Sequence, residues 1–239
     1  MNILGLDSSA KAASAAVLDA DNKIITAYGG VNVKITHSET LMPLTESVLA
    51  AAKLSLGDID AFAVTAGPGS FTGVRIAVSA VKGMAYALNK PVYAVSTLHS
   101  LAYNLLGQDC IACCLMDARR GQFYNALFRI AGGEIERLTP DRAIDADELE
   151  AELHGYAGDD APKIITVGDG AELFNNASIV LSAPIAQLHQ NAVSVCLAAS
   201  EYTPVPAKEL MPLYLRPPQA ERERRDGRPC PPAAKGENL

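Results

Sequence analysis

Two short apolar runs, residues 2–6 (NILGL) and 111–116, each end in an aspartate, and these aspartates, Asp7 and Asp117, stand 110 residues apart. Each is followed by the same order of signals. After Asp7-Ser8-Ser9 comes a second apolar run, Ala12 to Leu18. It stops at Asp19-Ala-Asp-Asn22, a segment of turn composition, and a third run follows from Lys23 to Tyr28. After Asp117 comes Phe123 to Ile130, then Gly132-Gly133, then Glu134 to Leu138. The 110-residue shift carries Leu18 onto Phe128 and Ile25 onto Ile135. Further along, Ile164 to Val167 ends at Gly168-Asp169-Gly170, echoing a buried strand from Ala61 to Ala66 that ends at Gly67. A chain that opens both halves with strand, aspartate and hairpin reads as a duplicated α/β domain with a cleft between the copies. We place the first lobe at 1–106, the second at 107–215 with the boundary near Gly107-Gln-Asp109, and a Pro- and charge-rich tail at 216–239, read as a peripheral strap or disordered.

Helices fill the intervals. Leu41, Leu44, Val48 and Ala52 recur at helical spacing, so 38–53 reads as a helix; Pro43 requires either a start near Thr40 or a kink. A second helix runs from about Thr72 to Asn89, a shorter one begins near Thr97, and 145–153 and 189–201 read as two more. A short helical segment is expected after Gly170.

Composition narrows the class. The 239 residues are 49% hydrophobic and 20% charged, enough apolar material for a sizeable core. No stretch approaches the ~18 consecutive apolar residues of a membrane span, and Asp7 falls where a secretory signal would be apolar. The net charge is −7; the tail holds six basic and four acidic residues, so the rest carries about −9, which argues against RNA binding by this chain alone. Of five cysteines, Cys110, Cys113 and Cys114 lie in an apolar run while Cys196 and Cys230 are isolated, so buried thiols fit better than a zinc site. The expected compartment is the reducing cytosol, with no membrane partner.

The strongest local signal is Gly67-Pro-Gly-Ser-Phe-Thr-Gly73, between a strand end and a helix start. Free backbone N–H groups and the positive end of a helix dipole suit an anion there, with Gly67 and Gly69 allowing close approach and Ser70 donating; a plain turn capped by Thr72 accounts for it equally well. Asp7, with Ser8 and Ser9 as donors, suits a hydrated magnesium beside phosphates, or simply caps a turn. The loop is not a Walker A motif. No histidines pair at i+4 and no Gly-x-Ser-x-Gly elbow occurs, so neither a helical metal site nor a nucleophilic serine is expected; catalytic residues and metal ligands are none. On the helix from Thr72, Ser79, Gly83 and Ala87 recur every fourth residue, leaving room for a second helix.

These residues carry a resemblance. ILGLDSS at 3–9, HSETLMP at 37–43, GPGSFTGVRIA at 67–77, MDARRGQFY at 116–124, VGDGA at 167–171 and LMPLYLRPPQAER at 210–222 resemble the TsaB family, also called YeaZ. The resemblance implies a two-lobe actin/Hsp70-like ATPase fold, related to ribonuclease H. It implies a role in making threonylcarbamoyladenosine beside the anticodon of tRNAs that read codons beginning with A. It further implies a non-catalytic platform that binds the catalytic paralogue TsaD and the small ATPase TsaE, reaches tRNA through that complex, and forms a homodimer when alone. Mapped here, Leu41, Leu44, Val48, Ala77, Ser79, Ala80, Gly83, Met84 and Ala87 form the partner interface. Asp7, Ser8, Ser9, Gly67, Gly69 and Ser70 form degenerate nucleotide-type loops, with no cofactor held by the chain itself and ATP or ADP with magnesium at the partner junction. The rival readings are an independent phosphotransferase of the acetate or sugar kinase type and a glycoprotease-like peptidase.

Overall fold

The computed structural model describes residues 1–32, 36–158, 161–174 and 178–216. The expected tail from 217 onward, with Cys230, lies outside the described residues.

The first half builds strands β1 (Asn2–Asp7), β2 (Ala13–Asp19) and β3 (Ile24–Val31), helix α1 (His37–Ala52), strand β4 (Ala61–Gly67), helix α2 (Phe71–Leu88), strand β5 (Pro91–Ser96) and helix α3 (Thr97–Tyr103). The second half builds β6 (Cys110–Asp117), β7 (Gln122–Ala131), β8 (Glu134–Arg137), β9 (Arg142–Asp145), α4 (Ala146–His154), β10 (Lys163–Val167), β11 (Val180–Ser182), α5 (Ala192–Ala198) and a two-residue β12 (Val205–Pro206). The first sheet runs β12-β5-β4-β1-β2-β3 and the second β11-β10-β6-β7-β8, with β9 also on β7. Without β12 and β9 the two orders are identical. Each central strand pairs antiparallel with its hairpin partner and parallel with the strand that returns on its other side.

The duplication is therefore real, and its register is legible. Asp7 and Asp117 each close their central strand. The hairpin partner slips by one residue: Leu18 sits opposite Ile3, and the residue opposite the counterpart Cys113 is Leu127, not Phe128. A one-residue slip exchanges the two faces of a strand, which is why Leu127, not Phe128, shares a core with Cys113. The helix expected after Gly170 is replaced by tight turns at Ala171 and Leu173. The 189–201 helix is shorter, α5 followed by a single 3-10 turn. α1 begins at His37 and runs through Pro43, whose ring removes one ladder bond within the second turn.

Both central strands are buried on both faces, so each sheet needs two layers of cover. On the first sheet, α1 and α2 cover one face, burying Leu4, Leu6 and Val64 against Leu41, Val48, Val78 and Val81. The other face is covered by α5, which comes from the far end of the chain: Val195 and Cys196 pack on Ile3, Ala16 and Ala63. Reciprocally, α3 leaves the first lobe and packs Leu98 and Leu101 on the second sheet against Cys114 and Phe128. α4 covers that sheet's opposite face through Leu149 and Leu153. Four cysteines, Cys110, Cys113, Cys114 and Cys196, are free and buried in these layers, and burial pushes the Cys113 and Cys196 thiols up to about 12. Among the described residues no helix is long and apolar enough to cross a membrane.

The two exchanged helices meet at Asn104, just past α3. Its Nδ2 donates to the Gln187 and His189 carbonyls at 2.7 and 2.8 Å. Its Oδ1 accepts from Asn191 Nδ2 at 2.9 Å and Ser194 Oγ at 2.6 Å. Asn104→Leu leaves these buried and partly buried groups without that partner and should cost about 2–4 kcal/mol, read from urea or thermal melts.

His99 lies on the same helix, stacked on Phe128 at 5.2 Å with its Nδ1 3.0 Å from the Tyr202 hydroxyl. Burial, and secondarily the Arg137 charge, lower it from 6.5 to about 4. The fold accepts the neutral ring, so this stability is lost as pH falls from about 6.5 towards 4. His99→Gln should lose less stability than the parent between pH 7 and pH 4.5, measured by denaturant midpoints.

Candidate functional site

The ends of β1, β4, β6 and β10 face one another across a cleft of about 750 Å³ between the lobes. Its walls carry Ser9, Lys11, Gly69 and Ser70 from the first lobe and Asp117, Arg119, Tyr124 and Asp169 from the second. Residues 213–216 supply a third wall.

Of the six sequence-predicted loop residues, Ser9, Gly69 and Ser70 line this cleft while Asp7, Ser8 and Gly67 do not, and most of their polar groups are turned inward. Asp7 is fully buried, and its carboxylate accepts from the Ser9 amide at 2.9 Å and the Ser9 hydroxyl at 3.1 Å. Ser8 Oγ donates to the Gly73 carbonyl at 2.8 Å. The Ser70 amide donates to the Ser9 carbonyl at 2.7 Å. The Ser70 side chain caps α2, accepting from the Gly73 amide at 3.3 Å, so the cap lies two residues before the expected Thr72. The close approach explains Gly73, where a Cβ would lie 2.0 Å from the Ser8 carbonyl oxygen. The glycine-rich loop thus serves to press α2 against the loop after β1, with His37 tying α1 to the same loop through a 2.7 Å bond to the Ala10 carbonyl. A phosphate with magnesium would need the Asp7 carboxylate and the Ser8 hydroxyl, and both are spent inside the chain.

The second lobe leaves its carboxylates nearer the cleft. Asp117 accepts the Arg119 amide at 2.7 Å, with Arg119 Nε 3.7 Å from its other oxygen. Asp169, partly buried, receives a long 3.4 Å bond from Gln190; burial pushes its carboxyl above the usual range, assisted by the nearby Asp117 charge and opposed by hydrogen bonds from Gln190 and the Asp117 backbone. Among the described residues no three His, Cys, Asp or Glu side chains converge in a metal-binding group.

The nine interface candidates divide. Leu41, Val48, Ala77 and Met84 are buried in the chain's own core, with Leu44 and Ala80 partly buried against it. Ser79, Gly83 and Ala87 are exposed, and a Cβ at Gly83 would meet nothing within 4 Å. Sequence reasoning missed the contacts that the late LMPLYLR run makes with α2: Arg75 Nε donates to the Tyr214 hydroxyl at 2.7 Å, across 139 residues of chain.

A family model described as "TsaD: tRNA N6-adenosine threonylcarbamoyltransferase" matches residues 14–211. The chain is similar to the tRNA threonylcarbamoyladenosine biosynthesis protein TsaB of Bacillus subtilis, 38% identical over 151 residues, 63% of this chain and 65% of that one. It is also similar to the tRNA N6-adenosine threonylcarbamoyltransferase of Sphingopyxis alaskensis, 38% identical over 119 residues, 43% of this chain and 35% of that one. The chain therefore spans less than two thirds of the length of these curated relatives. The solved structure of YeaZ from Pseudomonas aeruginosa superposes with a TM-score of 0.74 and 26% identity, over 90% of this chain and 99% of that one. With the two matched sheets, this fixes the fold as a duplicated two-lobe α/β architecture of the actin/Hsp70-like kind.

Burial raises the Asp7 carboxyl against the opposing pull of the Ser9 hydrogen bonds. A raised carboxyl favours the fold at low pH and loses that contribution as pH rises. Asp7→Asn should therefore gain stability relative to the parent as pH increases from 4 to 7, measured by thermal melts.

Proposed function

The chain belongs to the TsaB (YeaZ) family, and from that premise we propose that it is a non-catalytic subunit of the machinery that installs the threonylcarbamoyl group on tRNA adenosine. In this reading it is a platform. Its principal partner is a TsaD-like catalytic paralogue, a small TsaE-like ATPase joins them, and tRNA is reached through the assembly. Without its partner the chain pairs with itself.

The observation that carries the reading is the division of α2. Its inward side holds Val74, Ala77, Val78 and Val81 in the core. Its outward side leaves Ser79, Gly83 and Ala87 open. Small residues at i, i+4 and i+8 let a partner helix approach at close range. The contact then falls on these residues, with Met42 and Pro43 of α1 also exposed, and not on buried Leu41, Val48, Ala77 and Met84. The inward-turned loops after β1 and β4 agree with a role that does not use a nucleotide held by this chain alone. ATP or ADP with magnesium belongs, in this reading, at the junction with the partner. A phosphotransferase would need an open base beside a magnesium-binding carboxylate, and the Asp7 carboxylate is closed off. A peptidase would need an activated nucleophile; Ser8 and Ser9 are engaged with Gly73 and Asp7.

Reconstitution tests this. Cognate transferase, ATPase, unmodified tRNA, ATP and a threonylcarbamoyl-adenylate source should yield modified nucleoside only when this chain is present, and the chain alone should yield none. Modification by the chain alone would overturn the platform role. Gly83→Leu, placed where a side chain meets no neighbour and where Leu favours the helix more than Gly does, should keep or raise the thermal midpoint while weakening partner affinity by about tenfold or more. Unchanged affinity would place the interface elsewhere.

A further inference from the structure

The segment after α5 takes an unusual path. β12 adds to the edge of the first sheet, with Val205 opposite Val92. Ala207 and Leu210 then bury under α2 in the core of the first lobe. Lys82 of α2 fixes the turn between them by donating to the Lys208 and Leu210 carbonyls, each at 3.0 Å. Beyond Leu210 the chain runs along the mouth of the cleft. The Leu213 amide donates to the Ala66 carbonyl at 2.6 Å. Its own carbonyl oxygen would lie 2.3 Å from a Cβ at Gly67, where φ is +123°. Only glycine accepts both that backbone angle and that approach.

The next residues are held by side chains. The Tyr214 ring lies 5.1 Å from that of Phe71, and the Arg75 guanidinium sits 3.7 Å from the centre of the Phe71 ring while Arg75 Nε bonds the Tyr214 hydroxyl. Two residues later the segment leaves the first lobe. Arg216 donates to the Gln122 side chain at the start of β7, and its guanidinium lies 6.0 Å from the centre of the Tyr124 ring. One continuous stretch is thus bonded to both lobes at the opening between them.

The two attachments are unequal. The first-lobe end combines buried apolar residues, backbone bonds and an aromatic–cation stack. The described second-lobe end is one polar bond and a distant ring contact, on groups that water reaches. When such a connection yields, the weaker end yields first.

The geometry points to residues 210–216 acting as a strap, anchored on α2 and latched to the second sheet by Arg216, that holds the lobes together and sets access to the cleft. This goes beyond the platform role, because it concerns opening of the chain's own cleft and needs no partner.

Hydrogen–deuterium exchange of the full-length chain tests it. Arg216→Ala removes the latch at a surface position. Amides of residues 9–11 and 117–121, on opposite sides of the cleft, should exchange about fivefold faster or more, while those of β1, β4 and β6 stay protected. Tyr214→Ala should accelerate the same loops and also release the Leu213 amide. Circular dichroism of both variants confirms that the fold is kept; should Tyr214→Ala unfold, Arg216→Ala alone decides. Acceleration of both loops in Arg216→Ala supports the strap. Acceleration confined to residues 213–216, or none, overturns it.

Discussion

The carboxamide of Asn104 is the joint on which this architecture turns. Each sheet is buried on both faces, yet neither half of the chain supplies both of its covers. The first half sends α3 to the second sheet, and the second half returns α5 to the first. Asn104 bonds the loop that leads into α5 and the start of α5 itself, using both donors and both acceptor directions of one side chain. A buried polar hub of this kind is favourable only when every bond is made, so it fixes the relative placement of the lobes more sharply than apolar contact would. The ring of His99, between Phe128 of the second lobe and Tyr202, belongs to the same joint.

Duplication of the backbone did not duplicate the chemistry. Asp7 and Asp117 occupy equivalent ends of equivalent strands, but their surroundings differ. Over the first, α2 begins directly after the loop, and Gly73 lets it descend until the Ser8 carbonyl touches it. Over the second the described residues form turns and no such helix, and Asp117 stays partly open beside Arg119. One loop became a packing element and the other a wall of the cleft. A symmetric pair of anion loops is therefore not what the fold presents, although its symmetry is what makes the loops easy to find.

Much of the fold was readable because the signals were local and repeated. Strand, aspartate, hairpin and strand-glycine recur in order, and the helix ends fall within a residue or two at α1, α2 and α4. The one-residue slip of β7 was not readable, because loop length between β6 and β7 sets it and the apolar pattern of a strand buried on both faces does not alternate. Nor was the exchange of α3 and α5, since periodicity shows that a helix has an apolar face but not which sheet that face meets. The site suffered from the same ambiguity. Leu41, Val48, Ala77 and Met84 share helical spacing with surface neighbours, and spacing alone does not separate a core stripe from a partner stripe. The glycine-rich loop likewise reads the same whether its glycines admit a phosphate or admit another stretch of backbone.

Helix α2 shows how little of its surface is left uncommitted once these demands are met. One face closes the core over Leu4 and Leu6. Its first turn is seated on the loop after β1. Arg75 and Lys82, at a spacing of seven, project along a flank and hold the segment after β12. Exposed Thr72 and Tyr86 apart, what remains is the row Ser79, Gly83 and Ala87, and a Cβ added at Gly83 would meet nothing within 4 Å. A glycine in the middle of an eighteen-residue helix weakens it relative to alanine by about 1 kcal/mol, and among the described residues no neighbour lies within 4 Å of a Cβ at Gly83. In the platform reading proposed above, a partner helix seated on this row would supply that compensation, in a contact that a side chain at this position would prevent.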